Sequence, residues 1–150
     1  MFPCANPATM CPSDEEEAMN IVICLDDRNG MMFNKRRLSS DQAVCRRIAE
    51  RTEGKLFMSS YSAKLFEQYP VCVDEDFLEK AGEGDTCFAE TPDFMEVEDK
   101  IRSITVYRWN RTYPADKKLP ADYFCGWQLM ESFDFPGNSH ERITEEKYTK

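Results

Sequence analysis

Ile21-Val22-Ile23-Cys24-Leu25, closed by Asp26-Asp27 and the turn residues Arg28-Asn29-Gly30, is the stretch that decides how this chain folds. Five apolar residues in a row lack the alternation of a strand with one wet face. The run therefore reads as a strand buried on both sides, at the centre of a largely parallel or mixed sheet. Asn29 and Gly30 tolerate positive φ and mark a turn. Met31-Met32-Phe33 then resumes the apolar character before the basic stretch Lys35-Arg36-Arg37.

Working outward, Ser39 or Ser40 opens a helix predicted to reach Glu53, with Asp41 in its first turn, where the helix dipole favours an acid. Ala43, Val44, Arg47, Ile48 and Arg51 recur at helical spacing, and Gly54 stops the helix. Strands are predicted at Lys55 to Met58, Val71 to Val73 and Thr86 to Ala89, separated by helices from Ser62 to Tyr69 and from Asp76 to Ala81. Phe94, Val97 and Ile101 suit a short amphipathic helix over Pro92 to Lys100. Ile104 to Trp109 is a β-branched and aromatic strand. Trp127 to Met130 and Ile143 to Tyr148 flank Pro136-Gly137-Asn138 and read as an antiparallel hairpin with a long loop. This alternation predicts an α/β fold, a mixed and mainly parallel sheet flanked by helices.

The 150 residues, 41% apolar and 12% aromatic, are enough for one core, expected to span residues 19–150. Residues 1–18, with three prolines and the run Asp14-Glu15-Glu16-Glu17, have the composition of a disordered acidic extension. A formal charge of −9 repels phosphate backbones, which makes nucleic acid an unfavoured partner. The seven cysteines are odd in number and follow no apolar leader core, so they are expected to be free thiols in a cytoplasmic setting. Cys4 and Cys11 lack a second pair at zinc-finger spacing. No apolar run is long enough to span a membrane.

The order of elements from Asn20 to Tyr148 resembles that of dihydrofolate reductase. The first strand running into Asp26-Asp27-Arg28-Asn29-Gly30-Met31 is similar to that family's opening strand and mobile substrate loop. Leu38-Ser39-Ser40-Asp41 is similar to its Leu-Pro-x-Asp, in which the acid binds the pterin ring. Tyr113-Pro114-Ala115-Asp116-Lys117-Lys118-Leu119-Pro120 and Trp127-Gln128-Leu129 resemble its Gly-Asp-Thr-x-Phe-Pro and Trp-x-Leu. Ile143 to Tyr148 resembles its last strand. The resemblance implies a divergent small bacterial relative. The candidate ligand-binding residues are Met31, Asp41, Tyr107 and Lys117. For Asp41 the alternative is an ordinary acid favoured by the helix dipole, and for Tyr107 it is core packing.

The departures concern the cofactor. Where the resemblance implies Gly-Arg-x-Thr for gripping dinucleotide phosphates, the chain has Ser59-Ser60-Tyr61-Ser62. Where it implies Gly-Gly, the chain has Ala89-Glu90-Thr91. The first loop lacks the family's Pro-Trp, and Lys117 replaces its Thr. No NADPH or other cofactor is therefore expected. The leading expectation is a degenerate dihydrofolate reductase-like domain that binds a small planar ligand or a protein partner. A divergent reductase gripping phosphate through Arg36 or Arg37 is the first alternative. A nucleotide or nucleic-acid hydrolase of the ribonuclease Z type ranks last, since its two-metal chemistry needs clustered histidines and the chain has one, His140. That histidine follows Gly137-Asn138-Ser139 and is predicted to lie on a surface loop.

Overall fold

In the computed structural model, which describes residues 18–150, strand β1 (Met19–Leu25) lies inside a seven-stranded sheet of order β5-β4-β6-β1-β7-β10-β9. The predicted acidic extension falls, apart from Ala18, outside the described residues. β1 pairs in parallel with β6 (Thr86–Phe88) on one side and β7 (Ile101–Arg108) on the other. β4 (Leu56–Met58) and β5 (Cys72–Val73) continue the parallel half. β9 (Gln128–Phe135) and β10 (Ile143–Thr149) form the antiparallel hairpin, β10 lying against β7. The fold is thus α/β with a mixed, mostly parallel sheet.

The unbroken apolar run of β1 is explained by its two buried faces. Met19, Ile21, Ile23 and Leu25 point into one core with Phe94, Ile104 and Val106. Val22 points into the other, beneath helix α1 (Gln42–Arg51), where it meets Val44, Cys45, Ile48 and Phe66. Side chains alternate across a strand, so each face of the sheet receives every second residue.

A small antiparallel sheet of order β3-β2-β8 sits beside the first loop. It joins β2 (Gly30–Phe33), β3 (Arg36–Arg37) and β8 (Lys117–Lys118). Its anchor is Asp26, whose buried carboxylate accepts the N–H groups of Arg28 at 2.8 Å, Gly30 at 2.7 Å and Tyr113 at 3.0 Å. A Cβ on Gly30 would lie 2.7 Å from that of Ala115 and 2.9 Å from Asp26 Oδ1. Only glycine lets the three chains meet there.

Several boundaries differ from expectation. The helix predicted from Ser62 to Tyr69 is a single α turn, α2 (Ser60–Ala63), capped by the Ser59 hydroxyl, followed by a 3-10 turn at Lys64–Phe66. The helix predicted from Asp76 to Ala81 is α3 (Phe77–Lys80). Pro92–Lys100 is 3-10 helical and kinks at Val97, where φ is −117°. β9 runs five residues past the predicted Met130 because backbone pairing with β10 carries Glu131 to Phe135 along. Among the described residues, no helix is long and apolar enough to cross a membrane, and Cys24, Cys45, Cys72, Cys87 and Cys125 are free thiols.

Candidate functional site

Asp41 is the N-cap of α1 rather than a residue of its first turn, and its Oδ1 accepts the Ala43 N–H at 2.9 Å. Aspartate is among the strongest caps, so it displaces the serines before it from that role. The same carboxylate is reached by the loop that precedes β10. Asn138 N–H donates to Oδ1 at 2.8 Å, Ser139 N–H to Oδ2 at 2.8 Å, and the Ser139 hydroxyl to Oδ2 at 3.2 Å. His140 Nδ1 lies 3.0 Å from Oδ2. Burial alone would raise the Asp41 pKa, but the N–H of Asn138, the ring of His140 and the N–H groups of Ser139 and Ala43 outweigh it and hold it at about 2.

His140 corrects the surface-loop expectation. Its side chain is only 3% exposed, because the Asp41 carboxylate draws the loop inward and Trp109 stacks on the ring at 4.7 Å. An ionised carboxylate has no hydrogen to give, so Nδ1 carries a proton, and in the neutral ring that leaves Nε2 as the acceptor. Two hydroxyls face that nitrogen, Ser39 Oγ at 3.1 Å and Tyr113 Oη at 3.2 Å. Nothing local in the sequence pairs residues 99 apart.

The loop closes because residue 137 has no side chain. A Cβ there would sit 2.7 Å from Asp41 Oδ2 and 2.8 Å from the His140 carbonyl oxygen. Gly137→Ala is therefore expected to destabilise the domain by about 1–3 kcal/mol, the usual cost of forcing atoms into a packed site. A lowered urea midpoint with unchanged slope is the expected result, and an unchanged midpoint would show that the loop is not held this tightly.

A second polar cluster lies beside the first. Arg37 on β3 donates to Glu90 through Nε at 2.7 Å and Nη2 at 3.1 Å, a two-pronged ion pair. The Ser62 hydroxyl adds a hydrogen bond to Glu90 at 2.7 Å, and the guanidinium lies 4.2 Å over the Tyr61 ring. Burial opposes the Arg37 charge, but Glu90 more than compensates and raises its pKa.

Between the clusters lies a narrow cavity lined by Cys24, Met31, Leu38, Val44, Ile48 and Trp109, with Arg37, Ser39, Asp41 and Glu90 at its border. It has room for about one water molecule. Burial, then the Glu90 charge, pushes the Cys24 thiol well up, and the same two causes with Asp41 bring Cys45 to about 11. Both are protonated thiols at neutral pH and poor nucleophiles.

Of the candidate ligand-binding residues, Met31 and Asp41 share this cavity. Tyr107 does not line it. That residue is buried under α1, and burial followed by the neighbouring Glu145 carboxylate raises the phenol's pKa. Lys117 is exposed on β8, its backbone in register with Met32. Ser39, Glu90 and His140 were not among the candidates, and Arg37 was one only as the phosphate grip of a divergent reductase. A signal for the Arg37–Glu90 pair was present in the sequence as a charge opposite to the one a phosphate site requires. Among the described residues no three His, Cys, Asp or Glu side chains gather as metal ligands would.

The arrangement of strands and the small accessory sheet define a dihydrofolate reductase fold. Dihydrofolate reductase from Enterococcus faecalis, solved with NADP(H) and RAB-propyl, superposes with a TM-score of 0.64 over 89% of this chain and 96% of its own, at 12% identity. No protein-family model and no curated protein matches the sequence.

Proposed function

We propose that residues 19–150 form one dihydrofolate reductase-like domain that binds a small planar ligand without NADPH-dependent reduction, in a bacterial cytoplasm. The observation that carries this reading is the Glu90 carboxylate, held by Arg37 and Ser62. The fold's resemblance implies phosphate-gripping motifs around residues 59–62 and 89–91. Here a fixed negative charge takes up the cation that a phosphate would need, and Ala89 and Glu90 carry side chains where bare backbone is implied. These residues do not fit a dinucleotide's phosphates. The divergent-reductase alternative is weakened for the same reason, since Arg37 is already committed.

The planar ligand is supported by the groove outside the narrow cavity, about 330 Å³ in volume and lined by Phe33, Arg36, Leu38, Tyr113 and Pro114. Phe33 is 48% exposed there, an aromatic face open for stacking. A protein partner is the second reading, favoured by Leu129, Met130 and Phe133, all about half exposed on the edge strand β9.

Thermal-shift titration separates these readings. A ligand at a hundred times its Kd adds about 2.7 kcal/mol to stability, a rise of roughly 5–10 °C for a domain of this size. NADPH at millimolar concentration is expected to give no rise, and a folate analogue or another flat heterocycle a measurable one. A rise with NADPH would restore the reductase.

A further inference from the structure

The polar chain Ser39–His140–Asp41 has the connectivity of a nucleophile, a base and an orienting carboxylate. Ser39 Oγ is 3.1 Å from His140 Nε2, and His140 Nδ1 is 3.0 Å from Asp41 Oδ2. We propose that this trio is a serine esterase site for aryl esters of short carboxylic acids. The inference goes beyond the ligand-binding reading, because it assigns chemistry to a hydroxyl that reading does not use.

Each part of the geometry fits its role. Asp41 holds Nδ1–H, which fixes the tautomer and leaves the Nε2 lone pair facing the hydroxyl. Trp109 stacked on the ring and the Asp41 carboxylate on Nδ1 keep the imidazole from turning. Ser39 is half-buried, at the border of the narrow cavity, and His140 is its one hydrogen-bond partner among the described residues. Ser139 cannot replace it, because its Oγ lies 3.3 Å from Nδ1 rather than on Nε2 and its one hydrogen is shared between Asp41 Oδ2 and the Ser40 carbonyl. Cys24 and Cys45, the other nucleophilic atoms nearby, are held protonated.

The reaction proceeds in two balanced halves. Ser39 Oγ bonds to the ester carbonyl carbon as its proton passes to His140 Nε2. The tetrahedral intermediate collapses, the carbon–oxygen bond to the aryl group breaks, and the phenol leaves with the imidazolium proton. Water then gives a proton to Nε2 as its oxygen bonds to the acyl carbon; the bond from that carbon to Ser39 Oγ breaks, Oγ takes the proton from Nε2, and the carboxylic acid leaves. Tyr113 Oη, 3.2 Å from Nε2, packs against the edge of the ring and acts as a positioning residue that leaves the single Nε2 proton to the leaving group and to Ser39. The cavity beside Ser39, lined by Met31, Leu38 and Val44, has room for a group of about the size of one water, such as the methyl of an acetyl ester. The groove that shares Arg37 and Leu38 with it presents Phe33 and Tyr113 to the leaving ring.

The test uses the full chain with a fluorophosphonate probe and with p-nitrophenyl acetate. Peptide mapping of the wild type is expected to show one phosphonyl adduct, on Ser39. Ser39→Ala should lose the adduct and at least 90% of the esterase rate while melting as the wild type does. Ser40→Ala should keep both. Tyr113→Phe should lower kcat with little change in KM. An unlabelled wild type, or an adduct on any residue other than Ser39, overturns the proposal without requiring any variant to fold. Such a failure would leave the planar-ligand reading standing, since that reading is tested by ligand-induced stabilisation.

Discussion

Asp41→Asn is expected to lower the stability of the domain by at least about 2 kcal/mol at neutral pH, since two donors lose their acceptor at about 1–3 kcal/mol each. An N-cap alone is worth about 1 kcal/mol, so the size of the loss tells the two roles apart. The asparagine can present one oxygen, which serves Ala43 and Asn138 where Oδ1 now does. Its NH2 group would then face the donors Ser139 N–H and His140 Nδ1–H, leaving buried donors opposed. The same carboxylate predicts an acid-dependent term. Its folded pKa, about 2, is below the ordinary 3.8, so its contribution is complete above pH 4 and disappears as the pH falls through about 2. The difference corresponds to about 2 kcal/mol. Urea midpoints at pH 7 and pH 2.5 check both claims. The wild type should lose most of this term on acidification and the variant should not. A midpoint at pH 7 within about 1 kcal/mol of the wild type would reduce Asp41 to a cap.

The difference between what could and could not be read from the sequence follows from sequence distance. β1 announced itself because burial on both faces leaves no polar position in the run, a property of five adjacent residues. The β9–β10 hairpin was legible from its two strand-like ends, although the middle of β9, with Glu131 and Asp134, looked too polar to continue. Pairing with β10 overrides that local preference. The site is assembled by contacts between distant segments. His140 looked like a loop residue because polar neighbours and a glycine signify surface unless some distant group buries them. That group is Asp41, and Gly137 is there for the approach of its carboxylate as well as for turning the chain. Glu90 was visible as a charge of the wrong sign for a phosphate, but its partners Arg37 and Ser62 lie 53 and 28 residues away. Sequence could exclude one chemistry at this position without naming the bonds that replace it.

Glu90→Ala is expected to convert that internal ion pair into an anion-responsive site. Arg37 is 21% and Glu90 10% exposed, so removing the carboxylate strands the guanidinium in a place where water reaches it poorly. The loss of charge-assisted hydrogen bonds should cost about 1.5–3 kcal/mol, offset in part by the Tyr61 face that still covers the cation. Arg37 and the Ser62 hydroxyl would then point their donors at the space the carboxylate vacates. An inorganic pyrophosphate ion at ten times its Kd would return about 1.4 kcal/mol, a rise in melting temperature of roughly 3–6 °C. The wild type should show no such rise, because a tethered carboxylate competes with the ion for the same donors without losing translational freedom. Equal responses in the two proteins would mean that pyrophosphate binds elsewhere and that Glu90 does not guard Arg37. A response confined to Glu90→Ala would identify a single glutamate as what stands between Arg37 and a phosphate ligand. Gly at position 90 should then respond more strongly than Ala, since it also removes the Cβ from the path of the ion.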